Sequence, residues 1–286
     1  MRRKLSLLAL LVLAVTGCAS IWLAGGVLTA SAPQTIGAIP AGLSGRLVEF
    51  HSESGSTIHG WLIPGKASAG AIVLMHGVRS NRLSMVGRAR FLSQAGYSVL
   101  LFDFQAHGES DGTHITFGSL ERKNAQAAIQ FLRDNAPGEK IGVVGVSMGG
   151  AAAILATPPL SVDAMAIEMV YPTINEAVND RLTLRLGRWA RILTPLLIIQ
   201  LRPRLGVDPD ELRPIDHVNQ LTFPKLFIAG ADDHHTTIEE SRHLYETACA
   251  PKELWIVPGA AHVDLHEASK IEYELRLLNF FKSNLK

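Results

Sequence analysis

From Arg46 onward the chain alternates short apolar runs with amphipathic stretches. The runs are RLVEFHS, TIHGWLIP, AIVLMH, YSVLLFD, IGVVGV, DAMAIEM, KLFIAG and ELWIVP. The first two alternate apolar and polar positions around SESGS, which predicts an antiparallel hairpin. The later runs are nearly continuous in Val, Ile and Leu, as in strands that helices cover on both faces. Apolar spacing predicts helices over roughly 82–95, 116–135, 149–156, 237–249 and 267–284. In TTIEES, a Thr is followed three residues later by Glu, the spacing of a capping box. Strand then helix, repeated, predicts an α/β fold with a mostly parallel, doubly wound sheet.

Two stretches break this rhythm. More than fifty residues separate DAMAIEM from KLFIAG, too long for a plain crossover, so a lid insertion is expected over about 171–222. It reads as helical, with Pro195 and Pro203 dividing it. From Arg181 to Val207 it holds six arginines and no acidic residue. Arg181, Arg185 and Arg188 share a helical face, with Leu182, Leu186, Trp189, Ile192 and Leu193 around the rest. Such a segment either lies on a membrane surface or packs its apolar side over a pocket. Both readings imply an apolar acyl site.

The second break is the N-terminus. MRRKLSLLALLVLAVTGCASIWLAGGVLTASAP places three basic residues before an uncharged, mostly apolar stretch. In one reading Leu5–Val15 is the apolar region of a secretory signal, and VTGC resembles the lipobox of bacterial lipoproteins, with Cys18 lipidated. In the other the whole stretch crosses the membrane, since roughly 20 apolar residues suffice. Both leave Arg2, Arg3 and Lys4 inside and the rest on the extracytoplasmic side, periplasmic or in the cell envelope. The expected division is an anchor over 1–32, a tether over 33–44, and an α/β domain over 45–286.

Composition narrows the classes further. The 286 residues are 47% hydrophobic and 19% charged, with a formal net charge of +1. That length supports a core without disulfides, and near-neutral charge gives no reason to expect a nucleic-acid partner. Cys18 and Cys249 are too few and too far apart for a disulfide framework or a zinc site.

The candidate chemistry begins at GVSMG, which fits the G-x-S-x-G nucleophile elbow. A serine on a sharp strand-to-helix turn needs neighbours without side chains, so Gly145 and Gly149 clear space and Gly150 lets the helix approach. Ser147 then stands at the carboxyl edge of the sheet, where open α/β sheets place ligands. A base and an orienting acid follow in chain order, His262 in PGAAH and Asp233 in IAGADD, each just past a late strand. Asp232 and Glu168 are alternative acids. His266, one turn after His262, suggests a metal pair, but no matching third ligand is evident. The oxyanion donors expected are the N–H groups of Met148, after the nucleophile, and Val78, in the loop after AIVLMH, where Gly77 permits a tight turn. Arg79 either lines the acyl side or faces solvent, and His234 and His235 either shape the pocket or face solvent.

HGV after a strand, FDFQAHGES, GVSMGG, IAGADD and PGAAH together resemble the α/β-hydrolase superfamily, above all its membrane-tethered esterase and serine-aminopeptidase-like (S33-like) members. The resemblance covers residue 46 to the end. It implies an eight-stranded sheet, a Ser147–His262–Asp233 triad, no cofactor, and hydrolysis of an ester, thioester or amide. FDFQAHGES departs from the family's usual D-x-R-G-H-G-x-S at Gln105 and Ala106, a structural segment in which Asp103 and His107 are expected to fix a loop. The expected activity is that of a serine carboxylesterase or lipase-like acyl hydrolase acting on a small ester or lipid-like acyl substrate. The competing readings are a peptidase, amidase or thioesterase with the same triad, and a non-catalytic binding scaffold.

Overall fold

A computed structural model describes residues 2–286, with side chains for 12, 13 and 15–286. The first helix, α1 (Arg2–Thr29), leads into a two-residue strand β1 (Ala32–Pro33). Next come β2 (Arg46–His51), β3 (Thr57–Ile63), β4 (Ala71–Met75), α2 (Val86–Gln94) and β5 (Ser98–Phe102). A short β6 (His107–Gly108) precedes α3 (Glu121–Asn135), β7 (Ile141–Val146), α4 (Met148–Ile154) and β8 (Ala164–Glu168). After β8 lie α5 (Ile174–Leu186), α6 (Thr194–Ile198) and α7 (Leu201–Leu205), and then β9 (Lys225–Gly230), α8 (Ile238–Thr247), β10 (Lys252–Val257), α9 (Leu265–Ala268) and α10 (Lys270–Leu285).

All eight apolar runs become strands of one sheet, ordered β10-β9-β8-β7-β4-β5-β3-β2. Only the β2–β3 and β3–β5 pairings are antiparallel; the other five are parallel. The continuous hydrophobicity of the central strands follows from their two-sided burial. In β4, Val73 and Met75 join one core layer while Ile72 and Leu74 join the other, because successive side chains of a strand point to opposite faces. Every residue of β4, β8 and β9 is buried.

Several local expectations need correction. The third helix begins at Glu121 rather than 116. The Glu121 carboxylate instead accepts the N–H groups of Thr116 (2.9 Å) and Gly118 (2.8 Å), folding 116–120 into a turn with Phe117 at φ +54°. The stretch expected as a tether is pinned to the domain. β1 pairs in parallel with β6, and the Glu109 carboxylate accepts the N–H groups of Ile36 and Gly37. This strap turns at Gly37 (φ +79°) and again at Gly42 (φ +86°), where the Leu43 N–H donates to the Pro40 carbonyl.

Within the helical insertion, Pro195 does not end a helix. It lies in the first turn of α6, where its missing N–H costs no intrahelical bond. Pro203 sits inside the one-turn α7, and the break falls between α6 and α7, at Ile199 and Gln200. Gly187 (φ +88°) ends α5, and Arg188–Leu193 continue as a 3-10 helix, so Arg188 does not share the face of Arg181 and Arg185. Among the described residues, no helix is long and apolar enough to cross a membrane. The side chains of Arg2, Arg3, Lys4 and most of the predicted apolar region lie outside the described ones.

Candidate active site

The elbow is built from steric necessity. Ser147 joins β7 to α4 with φ +49° and ψ −115°, a conformation costly for a residue with a Cβ and tolerated where surrounding structure enforces it. A Cβ at Gly145 would lie 2.6 Å from the Cα of Gly150, and one at Gly149 would lie 2.5 Å from the Met75 carbonyl oxygen. A Cβ at Gly150 would collide with Val170. The three glycines thus let α4 cross directly over β7 and the end of β4. The N–H of Ser147 donates to the Glu168 carbonyl at 2.8 Å, which fixes the turn to the next strand.

The acid and the histidine meet as expected from sequence. His262 Nδ1 lies 2.7 Å from Asp233 Oδ2, and Asp233 Oδ1 accepts the N–H groups of His235 and Thr236 at 2.8 and 3.0 Å. Asp233 is buried, so its charge is stabilised by three fixed donors rather than by water. This pairing puts the imidazole proton on Nδ1 and leaves Nε2 free to accept another. Asp232 is exposed and has no part in the pair. No hydrogen bond joins Ser147 Oγ to His262 Nε2 among the described residues, a contact that often tightens only when substrate binds.

Glu168, the other alternative acid, is committed elsewhere. It is fully buried and pairs with Arg88 Nη2 (2.7 Å) and Nε (3.2 Å), while the Tyr273 hydroxyl donates to it. Arg88 Nη1 also reaches Asp264 at 2.8 Å, two residues past His262. One buried guanidinium therefore ties the strand beside Ser147 to the loop carrying His262. Sequence reading missed this link; its signal is Arg88 within an otherwise apolar helical face and Glu168 within an apolar strand. His266 pairs with Glu274 (Nε2 to Oε1, 2.8 Å) rather than pointing at the site.

The loop after β4 is held by two neutral histidines. His76 Nδ1 donates to the Gly77 carbonyl (2.7 Å), and its Nε2 accepts the Phe104 N–H (3.0 Å). Burial pushes the His76 pKa down to about 3, with the neighbouring His107 adding to the shift. His107 Nε2 accepts the Arg79 N–H at 3.0 Å, and burial lowers its pKa too. Asp103 accepts the backbone N–H groups of Arg82 and Glu109, so Asp103 and His107 fix loops, as anticipated. The positive φ of this turn sits at Arg79 (+56°) rather than at Gly77. Neither Val78 nor Met148 donates its N–H to a backbone carbonyl among the described residues, and both residues line the same cavity as Ser147.

That cavity has a volume of about 240 Å³ and is walled mainly by apolar side chains, including Phe117, Ile174, Leu182, Leu197 and Leu201. Arg79, Phe117 and Ser147, all with φ in the left-handed region, line it together. Arg181 also lines it; burial lowers its pKa, opposed by Tyr171 and Asp233. His235 stacks edge-on to His262 at 5.0 Å, and burial holds its pKa down. Sequence reading did not foresee that Gly25, Leu28 and Thr29 of α1 also line this cavity. Their apolar run carries the pattern of an anchor, which hides any second role.

Comparison with known proteins places this geometry among relatives. The family described as "Serine aminopeptidase, S33" matches residues 66–210, and one described as "PhoPQ-activated pathogenicity-related protein" matches residues 210–285. An uncharacterised protein of Bacillus subtilis, YqkD, is 26% identical over 235 residues, covering 80% of this chain and 76% of the relative. The thiohydrolase aneE of Aspergillus aculeatus is 30% identical over 181 residues, 57% of each chain. The esterase Pf2001 of Pyrococcus furiosus superposes with a TM-score of 0.75 at 24% identity, covering 90% of this chain and 99% of that one. With a family match over half its length and the eight-stranded sheet described above, the chain belongs to the serine aminopeptidase S33 family of the α/β-hydrolase superfamily.

Proposed function

We propose that the protein is a serine hydrolase that cleaves carboxylic esters with an apolar acyl chain. The observation that carries this reading is the His262–Asp233 pair, beyond the same sheet edge as a strained Ser147 that opens onto an apolar cavity. In this mechanism His262 Nε2 takes the Ser147 Oγ proton as Oγ attacks the carbonyl carbon. The N–H groups of Val78 and Met148 stabilise the oxyanion. Collapse breaks the bond to the alkoxide, which leaves with the proton held by His262. Water then attacks the acyl-enzyme, losing its proton to Nε2, and Ser147 regains its own as the acid departs. Asp233 keeps the Nδ1 proton in place and stabilises the imidazolium.

A thioesterase is the second reading, favoured by the relative named a thiohydrolase; the same steps apply with a thiolate leaving group. Aminopeptidase chemistry has less support, because an apolar cavity offers little to a charged amino terminus. We also propose that α1 anchors the domain at the extracytoplasmic face of a membrane, by insertion or through a lipidated Cys18. Cys18 is exposed, as are Leu23 and Val27 on α1, in line with a lipid-facing helix. In a series of chromogenic esters and thioesters beside aminoacyl amides, medium-chain esters should turn over fastest, and Ser147→Ala should abolish the activity. Amides turning over faster than every ester would contradict the assignment.

A further inference from the structure

The N-terminal helix does more than precede the domain. Gly25, Leu28 and Thr29 line the cavity that holds Ser147, together with Leu197, Ile198 and Leu201 of the lid. Three side chains fasten this end of the helix. Gln200 Nε2 donates to the Ile21 carbonyl at 3.1 Å, and Arg204 donates to the Trp22 carbonyl while its guanidinium lies 3.9 Å from the Trp22 ring centroid. The Arg79 guanidinium donates to the carbonyls of Val27 (3.0 Å) and Ala30 (3.3 Å).

The pair Gly25-Gly26 makes this fastening possible. A Cβ at Gly25 would collide with the Gln200 side chain, and one at Gly26 would come within 3.2 Å of the Arg204 guanidinium. Bare backbone at these two positions exposes the carbonyls one turn earlier to the lid's donors. Arg79 meets a different need, because the last carbonyls of a helix lack intrahelical partners and their dipole favours a cation. Arg79 also directly follows Val78, the proposed oxyanion donor, so the helix end and the oxyanion loop share one anchor point.

We infer that Gly25, Leu28 and Thr29 form a wall of the acyl-binding pocket, and that Leu28 helps to set the acyl length the enzyme accepts. This rests on the serine hydrolase reading proposed above. The wall is independent of how the anchor is processed, since cleavage before Cys18 leaves residues 21–29 attached. In this reading an apolar acyl chain lies against both a lid helix and the end of the helix that we propose holds the protein at the membrane.

The test uses the full chain in detergent and a series of alkyl fluorophosphonates from ethyl to dodecyl, with the rate of Ser147 labelling as readout. Leu28→Trp should move the preferred chain length shorter, lowering the decyl-to-ethyl rate ratio about five-fold or more. Leu28→Ala should move the preference longer. Leu23→Trp, at an exposed position off the cavity, should leave the ratio unchanged. Labelling whose chain-length preference is unmoved by both Leu28 variants, or is moved equally by Leu23→Trp, overturns the inference alone. Failure of every probe to label folded wild-type protein overturns the hydrolase reading and this inference with it.

Discussion

At the scale of single residues, the chemistry rests on which proton sits where. His262 presents Nδ1 to Asp233, and this fixes Nε2 as the acceptor for the proposed nucleophile. Asp233→Asn presents an amide that can donate to Nδ1 and favours the wrong tautomer, so kcat should fall on the order of 10³–10⁴-fold with little change in KM. Asp232→Asn removes an exposed carboxylate outside the pair and should leave kcat within about two-fold. Steady-state kinetics of the two variants on one ester separates the two acids. Equal losses would contradict the assignment of Asp233. The sequence already offered both aspartates and favoured the second. Burial and the N–H donors of His235 and Thr236 distinguish them, and no spacing rule encodes either.

At the scale of elements, the site depends on how strand ends and helix starts are locked together. Arg88 on α2 holds Glu168 at the end of β8 and Asp264 at the start of α9. Removing one member of a buried pair leaves the other charge without compensation, at a cost of about 3–5 kcal/mol. Arg88→Met should therefore lower the thermal midpoint by roughly 10 °C, measurable by calorimetry. The strands and the elbow were legible because their periodicity and their glycines are local signals. The Arg88 link was not, since residues 80 and more positions apart meet only after the sheet forms. The lid was legible as an insertion but not in its breaks, because a proline in the first turn of a helix is tolerated.

At the scale of the whole molecule, buried histidines give stability a definite dependence on pH. His76 stays neutral when folded, with its pKa down near 3, whereas in the unfolded chain it binds a proton below about 6.5. The unfolded state therefore takes up more protons as pH falls from 6.5 toward 3, and stability drops over that window. Glu240 acts in the opposite direction. Burial and the nearby Asp180 push its pKa up to about 8, so the folded state keeps a proton that the unfolded chain releases above about 4.5. Its contribution is complete below about 4.5 and fades as pH rises through 8. His76→Gln should flatten the decline in thermal midpoint between pH 6.5 and 5, where His76 alone accounts for about 2 kcal/mol. An unchanged slope in the variant would assign the acid sensitivity to other groups.

The overall architecture could be read from the order of strands and motifs, but the N-terminal segment could not. Its hydrophobicity gives the pattern of an anchor whether or not its last turns also line a cavity. Only contact with Gln200, Arg204 and Arg79 distinguishes the two. The central claim, that Ser147 is an activated nucleophile, is tested most directly by fluorophosphonate labelling followed by peptide mapping. The account predicts one phosphonyl adduct, on the peptide containing Ser147, which is lost in Ser147→Ala and slowed in His262→Ala. Folded wild-type protein that takes up no label, or carries it on another serine, would contradict it.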